Sequence, residues 1–193
     1  MRYYELDLPS RYTEVAYVRF DNVKTGFLYD MKAVFPGILL TMIGWIFVKL
    51  TISQILIALG ILAVSIYPYF SLHEIIHGTV VKIMTGQRVE IGFNKSGAYC
   101  GMPELYMYRT VAVYCTAAPL VVFSLLFGFG TVILIAAGHW LFFPLGLLLI
   151  LHLLGCRSDV NLLKELGKYK KQSMLVKDTG GEQWFYLSKE EVH

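Results

Sequence analysis

The sequence predicts an all-α membrane protein of about four transmembrane helices, with a small cytoplasmic β-hairpin between spans 2 and 3. Three observations carry that expectation. Hydrophobic residues make up 56% of the chain and charged ones 16%, against about 45–50% apolar and 25% charged in an ordinary soluble domain. The apolar residues are blocked: no Asp, Glu, Lys or Arg lies between Lys49 and Glu74, and none between Arg109 and Arg157. A helix needs about 20 such residues to cross the hydrocarbon layer, so the second gap has room for two crossings.

Taken in order, residues 1–32 form a charged and aromatic cytoplasmic leader, 33–158 a four-span membrane domain and 159–193 a cytoplasmic tail. The spans fall at about 33–50, 54–77, 109–136 and 139–158. The first strongly apolar run begins only near Ala33, behind the charged leader, so it reads as a retained span rather than a signal peptide. A tight connection at 50–53 joins spans 1 and 2. The turn Gly138-His139-Trp140 joins spans 3 and 4, with Trp140 suited to the interface. Pro119 inside the third span predicts tilt or a kink. With the N-terminus in the cytoplasm, every Lys and Arg except Lys49 falls on that side, which satisfies the positive-inside rule with both termini cytoplasmic.

Between spans 2 and 3, Arg88-Val-Glu-Ile-Gly-Phe93 alternates polar and apolar residues before the turn cluster Asn94-Lys-Ser-Gly97, the pattern of a short hairpin. A second hairpin is expected in the tail, with 174–177 and 184–187 flanking Asp178-Thr-Gly-Gly181, and the leader has room for a strand or two. The three cysteines (Cys100, Cys115, Cys156) are odd in number and far apart, so no disulfide framework is expected. The net charge of +3 comes without a basic stripe interleaved with stacking aromatics, which argues against nucleic acid as a partner.

The chemistry-bearing motif is His73-Glu74-Ile75-Ile76-His77 at the end of the second span. Residues four apart on a helix share a face, so both imidazoles reach one ion, and Glu74 between them stands beside the water as a general base. Zinc suits the pair, and a catalytic zinc needs a third protein ligand with a fourth position open. Asp159 abuts the cytoplasmic end of the fourth span, at the depth of His77. Asp30 and Glu104 also lie near cytoplasmic span ends but a few residues outside them. His152, seven residues before Asp159 on the same helical face and roughly 10 Å deeper, is a possible alternative ligand or a group that steadies an oxyanion. Pro68, five residues before His73, can bend the helix ahead of the motif, and Gly78 permits close approach of another segment.

The His73-Glu-Ile-Ile-His77-Gly78 helix, with its four expected spans and an Asp just past the last, resembles the putative zincin peptidase family of small bacterial membrane proteins. That family is similar in layout to the site-2 intramembrane metalloproteases. The resemblance runs from about the first span to the end of the fourth. It implies Zn2+ as cofactor, His73, His77 and Asp159 as ligands and Glu74 as base. One departure stands out: the site-2 enzymes present this Asp in an Asn-Pro…Asp-Gly context, whereas Asp159 follows Gly-Cys-Arg-Ser and precedes Val-Asn.

The expected function is therefore zinc-dependent intramembrane proteolysis. The partners are the lipid bilayer and a peptide or membrane-protein substrate cut near the cytoplasmic face. Val89, Ile91 and Phe93 are candidates for docking that substrate as an added strand, since a peptide must leave its own helix before water can attack. Two other readings use the same residues: a non-catalytic, zinc-stabilised membrane scaffold or transporter accessory, and a hydrolase of a lipid or small amide.

Overall fold

The computed structural model describes residues 3–19, 27–94, 97–180 and 182–189. Five helices are present: α1 (Phe27–Phe47), α2 (Ile52–Thr85), α3 (Arg109–Ala136), α4 (Phe142–Gly155) and α5 (Arg157–Lys168). Six strands accompany them: β1 (Tyr4–Glu5), β2 (Tyr12–Arg19), β3 (Glu90–Asn94), β4 (Gly97–Tyr108), β5 (Met174–Asp178) and β6 (Glu182–Ser188).

The all-α expectation is overturned. The strands join in one antiparallel sheet of order β1-β4-β5-β6-β2, with β3 paired to the start of β4. Its pairings are non-local: β2 from the leader pairs with β6 from the tail, and β4 with β5 across the third and fourth helices. Short amphipathic strands are individually visible in a sequence, but nothing local says that strands so far apart pair.

Among the described residues α2 and α3 are long and apolar enough to cross a membrane, and a third candidate exists if α4 and α5 count as one broken span. In α1 the residues whose side chains are described form an apolar stretch, Met31–Phe47.

Local chemistry sets the helix ends. Thr51 and Gln54 form a reciprocal cap at the start of α2: Gln54 N–H donates to Thr51 Oγ1 and Thr51 N–H to Gln54 Oε1. α2 continues past the motif and stops at Gly86, whose φ of +70° only glycine adopts freely and whose N–H reaches Lys82 O at 2.8 Å. α3 ends at Gly138 (φ +64°), where His139 N–H bonds Leu134 O and Gly138 N–H bonds Ile135 O. That pair of bonds is a Schellman cap.

The chain divides into two compact units. The helical unit, Thr25–Phe70 with Leu120–Arg157, packs α1 against α4 through small residues. A Cβ on Gly44 would lie 2.4 Å from Phe142 and one on Gly146 2.5 Å from Thr41 Oγ1, so the missing side chains permit the close approach of the two helices. The mixed unit, Met1–Lys24, Ser71–Pro119 and Ser158–His193, holds the sheet. Its core sets Leu162 and Leu166 of α5 and Ala112 of α3 against Met174, Val176, Phe185 and Leu187 of β5 and β6. A second cluster joins Val81 of α2, Met102, Leu105 and Met107 of β4, and Val111 and Cys115 of α3.

Candidate metal centre

His73 and His77 lie one turn apart in the part of α2 that belongs to the mixed unit, their ring centroids 5.0 Å apart. Asp159 occupies the first turn of α5, where a carboxylate is favoured by the helix dipole. It shares a helical face with Leu162 and Leu166, at i, i+3 and i+7. Burial of those two leucines against the sheet therefore orients that face, and with it Asp159, inward. Asp159 Oδ2 lies 3.2 Å from His73 Nε2, and Oδ1 lies 3.7 Å from His77 Nε2.

The three donor groups lie within 4.8 Å of one another. Zinc held tetrahedrally at bonds of about 2.0–2.1 Å separates its ligand atoms by roughly 3.3 Å, so both measured His–Asp separations fit the edges of such a site. The donor set also matches: two imidazoles and one carboxylate leave a fourth position open, as catalytic zinc requires. The three side chains are nearly buried, with 9–13% of their surface exposed.

His77 has a partner on its other ring nitrogen. Nδ1 donates to the backbone carbonyl of Cys115 in α3 at 2.8 Å, which leaves Nε2 with the lone pair facing Asp159. Such a bond from the non-ligating nitrogen is what orients most metal-binding histidines.

Glu74 faces the start of β4. Its carboxylate meets the backbone N–H of Cys100 and lies in the electrostatic neighbourhood of His73, Asp159 and Asp178. The β3–β4 hairpin comes this close because residue 78 is glycine. A Cβ there would lie 2.8 Å from Val89 Cγ2, 3.2 Å from Ile91 Cδ1 and 3.4 Å from Cys100 Sγ. Gly101 serves the next contact in the same way, since its Cβ would lie 2.8 Å from the Thr179 backbone in the β5–β6 turn. Burial pushes the Cys100 thiol up to about 12, with the charges of Asp178 and Glu74 acting the same way.

The other expected site residues fall as follows. His152 is fully buried in the helical unit: Nδ1 lies 2.8 Å from Tyr69 Oη and 3.4 Å from Cys156 Sγ, and Nε2 lies 3.2 Å from Ser124 Oγ. The rings of Tyr69, Phe123 and Phe127 surround it. Val89 and Ile91 meet α2 at Gly78, and Phe93 continues β3, its side chain outside the described residues, as is that of Asp30.

Sequence reasoning missed Asp178 and Gln183. They are register partners on β5 and β6 and extend the inner sheet face that carries Val176 and Phe185. Asp178 accepts from Gly180 N–H at 2.7 Å and from Gln183 Nε2 at 2.6 Å. Only the turn was legible there; nothing local marks a buried acid.

A helix-borne His-Glu-x-x-His pair with a distant carboxylate beside it has the donor arrangement of a candidate zincin-type metal centre. The chain belongs to the putative zincin peptidase family, whose model matches residues 66–174 and so contains all four site residues. That membership supports zinc-metallopeptidase activity. No curated protein and no solved structure matches the chain.

Proposed function

We propose that the protein is a zinc-dependent intramembrane metallopeptidase that hydrolyses a peptide bond of a membrane-embedded or membrane-associated substrate near the cytoplasmic face. One observation carries the reading: His73 and His77 converge with Asp159 at separations that fit one tetrahedral ion. Asp159 is the third ligand in this reading, while the nitrogens of His152 are engaged with Tyr69 and Ser124. Bound zinc supplies a Lewis acid that acidifies water and polarises a carbonyl. Glu74, beside the ligands, accepts the proton of the attacking water and passes it to the departing nitrogen.

The substrate arrives extended. Among the described residues β3 pairs with β4 alone, so its outer edge offers backbone groups to a peptide that has left its helix. The membrane setting is supported by α2 and α3, long and apolar enough to cross. The cytoplasmic position of both termini is supported by the confinement of Lys and Arg, Lys49 aside, to residues 2–32, 82–109 and 157–189.

Metal analysis and peptide turnover of the purified chain test the proposal together. The wild-type chain is expected to hold one zinc, and His73→Ala, His77→Ala and Asp159→Ala to lose it. Glu74→Gln keeps the metal and loses about 10²–10⁴-fold in turnover. Full zinc and full turnover in Asp159→Ala would remove Asp159 from the site. Undiminished turnover in Glu74→Gln would remove the hydrolytic mechanism.

A further inference from the structure

A proline in a helix has no N–H to give, so the carbonyl four residues before it loses its ladder donor. The proline inside α3 is Pro119, and the carbonyl it releases is that of Cys115. This is the oxygen that accepts from His77 Nδ1 at 2.8 Å. The Cys115 thiol adds a weaker contact, donating to the His77 carbonyl at 3.6 Å.

The arrangement solves two problems at once. Cys115 is buried, and an unpaired buried carbonyl is destabilising. The His77 ring needs a fixed acceptor if its proton is to stay on Nδ1 and its lone pair on Nε2, the atom that faces Asp159. Each supplies what the other lacks.

We infer that Pro119 is a positioning residue of the metal centre. By withholding an N–H from α3 it reserves the Cys115 carbonyl for His77 and so sets the tautomer and direction of one ligand. An alanine at 119 would return the N–H, draw the carbonyl back along the helix axis and leave the imidazole to turn. The inference rests on the reading of His73, His77 and Asp159 as ligands.

The purpose of the proline could instead be the bend that its ring imposes, and the two are separable. Zinc affinity of the purified full-length chain in detergent, measured by competition with a chromogenic chelator, is compared across three forms. These are the wild type, Pro119→Ala, and a chain in which the α-hydroxy acid analogue of alanine replaces Pro119. The last has a backbone ester at that position, with neither ring nor N–H. Pro119→Ala is expected to bind zinc about 10–100-fold more weakly. The metal-free form of that variant should melt no lower than wild type, because alanine is the better helix former. The ester form should bind within about threefold of wild type.

Unchanged affinity in Pro119→Ala would overturn the inference. So would equal weakening of the alanine and ester forms, which would assign the effect to the ring. A wild-type chain that takes up no zinc would overturn the metal reading itself.

Discussion

Asp178 lies buried at the end of β5 with two hydrogen-bond donors as partners, the Gly180 N–H and the Gln183 amide. Burial outweighs them and holds its carboxyl at about 6, above the ordinary 3.8, with the charge of Asp159 pushing the same way. A carboxyl raised in the fold favours the protonated form. Its contribution to stability is therefore fully present below pH 3.8 and lost as pH rises through 6. Gln183 Oε1 is buried and has no hydrogen-bond partner, so a neutral amide at 178 would let that side chain turn and satisfy both pairs. Asp178→Asn should raise stability at pH 7.5 by about 1–3 kcal/mol, with the gain gone by pH 4. Melting curves that keep the same gap at both pH values would contradict this account.

At the same scale, the legible residues were those whose spacing is itself a signal. His73, Glu74 and His77 stand in a fixed helical pattern, and Asp159 stands where an expected span ends. The Cys115 carbonyl has no such signature, because every residue has a carbonyl. Only Pro119, four positions later, hints that this one is different.

Among the elements, the β3–β4 hairpin depends on a single missing side chain. Gly78→Ala would set a Cβ 2.8 Å from Val89 Cγ2, and valine has little rotamer freedom with which to yield. Overpacking of this kind is destabilising by about 1–3 kcal/mol. Turnover should fall further than stability predicts, since the displaced hairpin lies beside Glu74. Val89→Ala on top of Gly78→Ala should recover most of both losses. Simple additivity of the two changes would show that the hairpin does not press on α2 here.

The elements also mark where sequence reading succeeds. The hairpins at β3–β4 and β5–β6 follow from alternation around Gly-, Asn- and Asp-rich turns, and the turn between α3 and α4 from Gly138. α2 runs eight residues past the expected end at 77, because no proline or glycine pair stops it before Gly86. The break at Cys156, which separates α4 from α5 and places Asp159 in a first turn rather than beyond a last one, has no proline or paired glycine to announce it.

Across the whole molecule, charge separates with the two units. Of the seventeen Lys and Arg only Lys32, Lys49 and Arg157 lie in the helical unit, and of the fourteen Asp and Glu only Asp30. The helical unit therefore has the composition of a body immersed in lipid. The mixed unit carries the titratable chemistry. Cysteine introduced near Lys49 or near His139 should react with impermeant thiol reagent applied outside intact cells, and cysteine near Lys171 only after lysis. Labelling of the Lys171 position in intact cells would reverse the proposed orientation. Fold class was the least legible property at this scale. Apolar helices dominate the composition, while the sheet draws on three separated blocks of chain, none of which signals its pairing with the others.

The separation between His73 and Asp159 has a consequence in time. The two are 86 residues apart, and a ribosome adds about 5–20 residues each second. For roughly 4–17 s, then, the growing chain has its paired imidazoles but no carboxylate to complete them. On the proposed assignment, the ligand set is incomplete until synthesis has passed Asp159, which would keep the nascent enzyme from acting on neighbouring nascent chains.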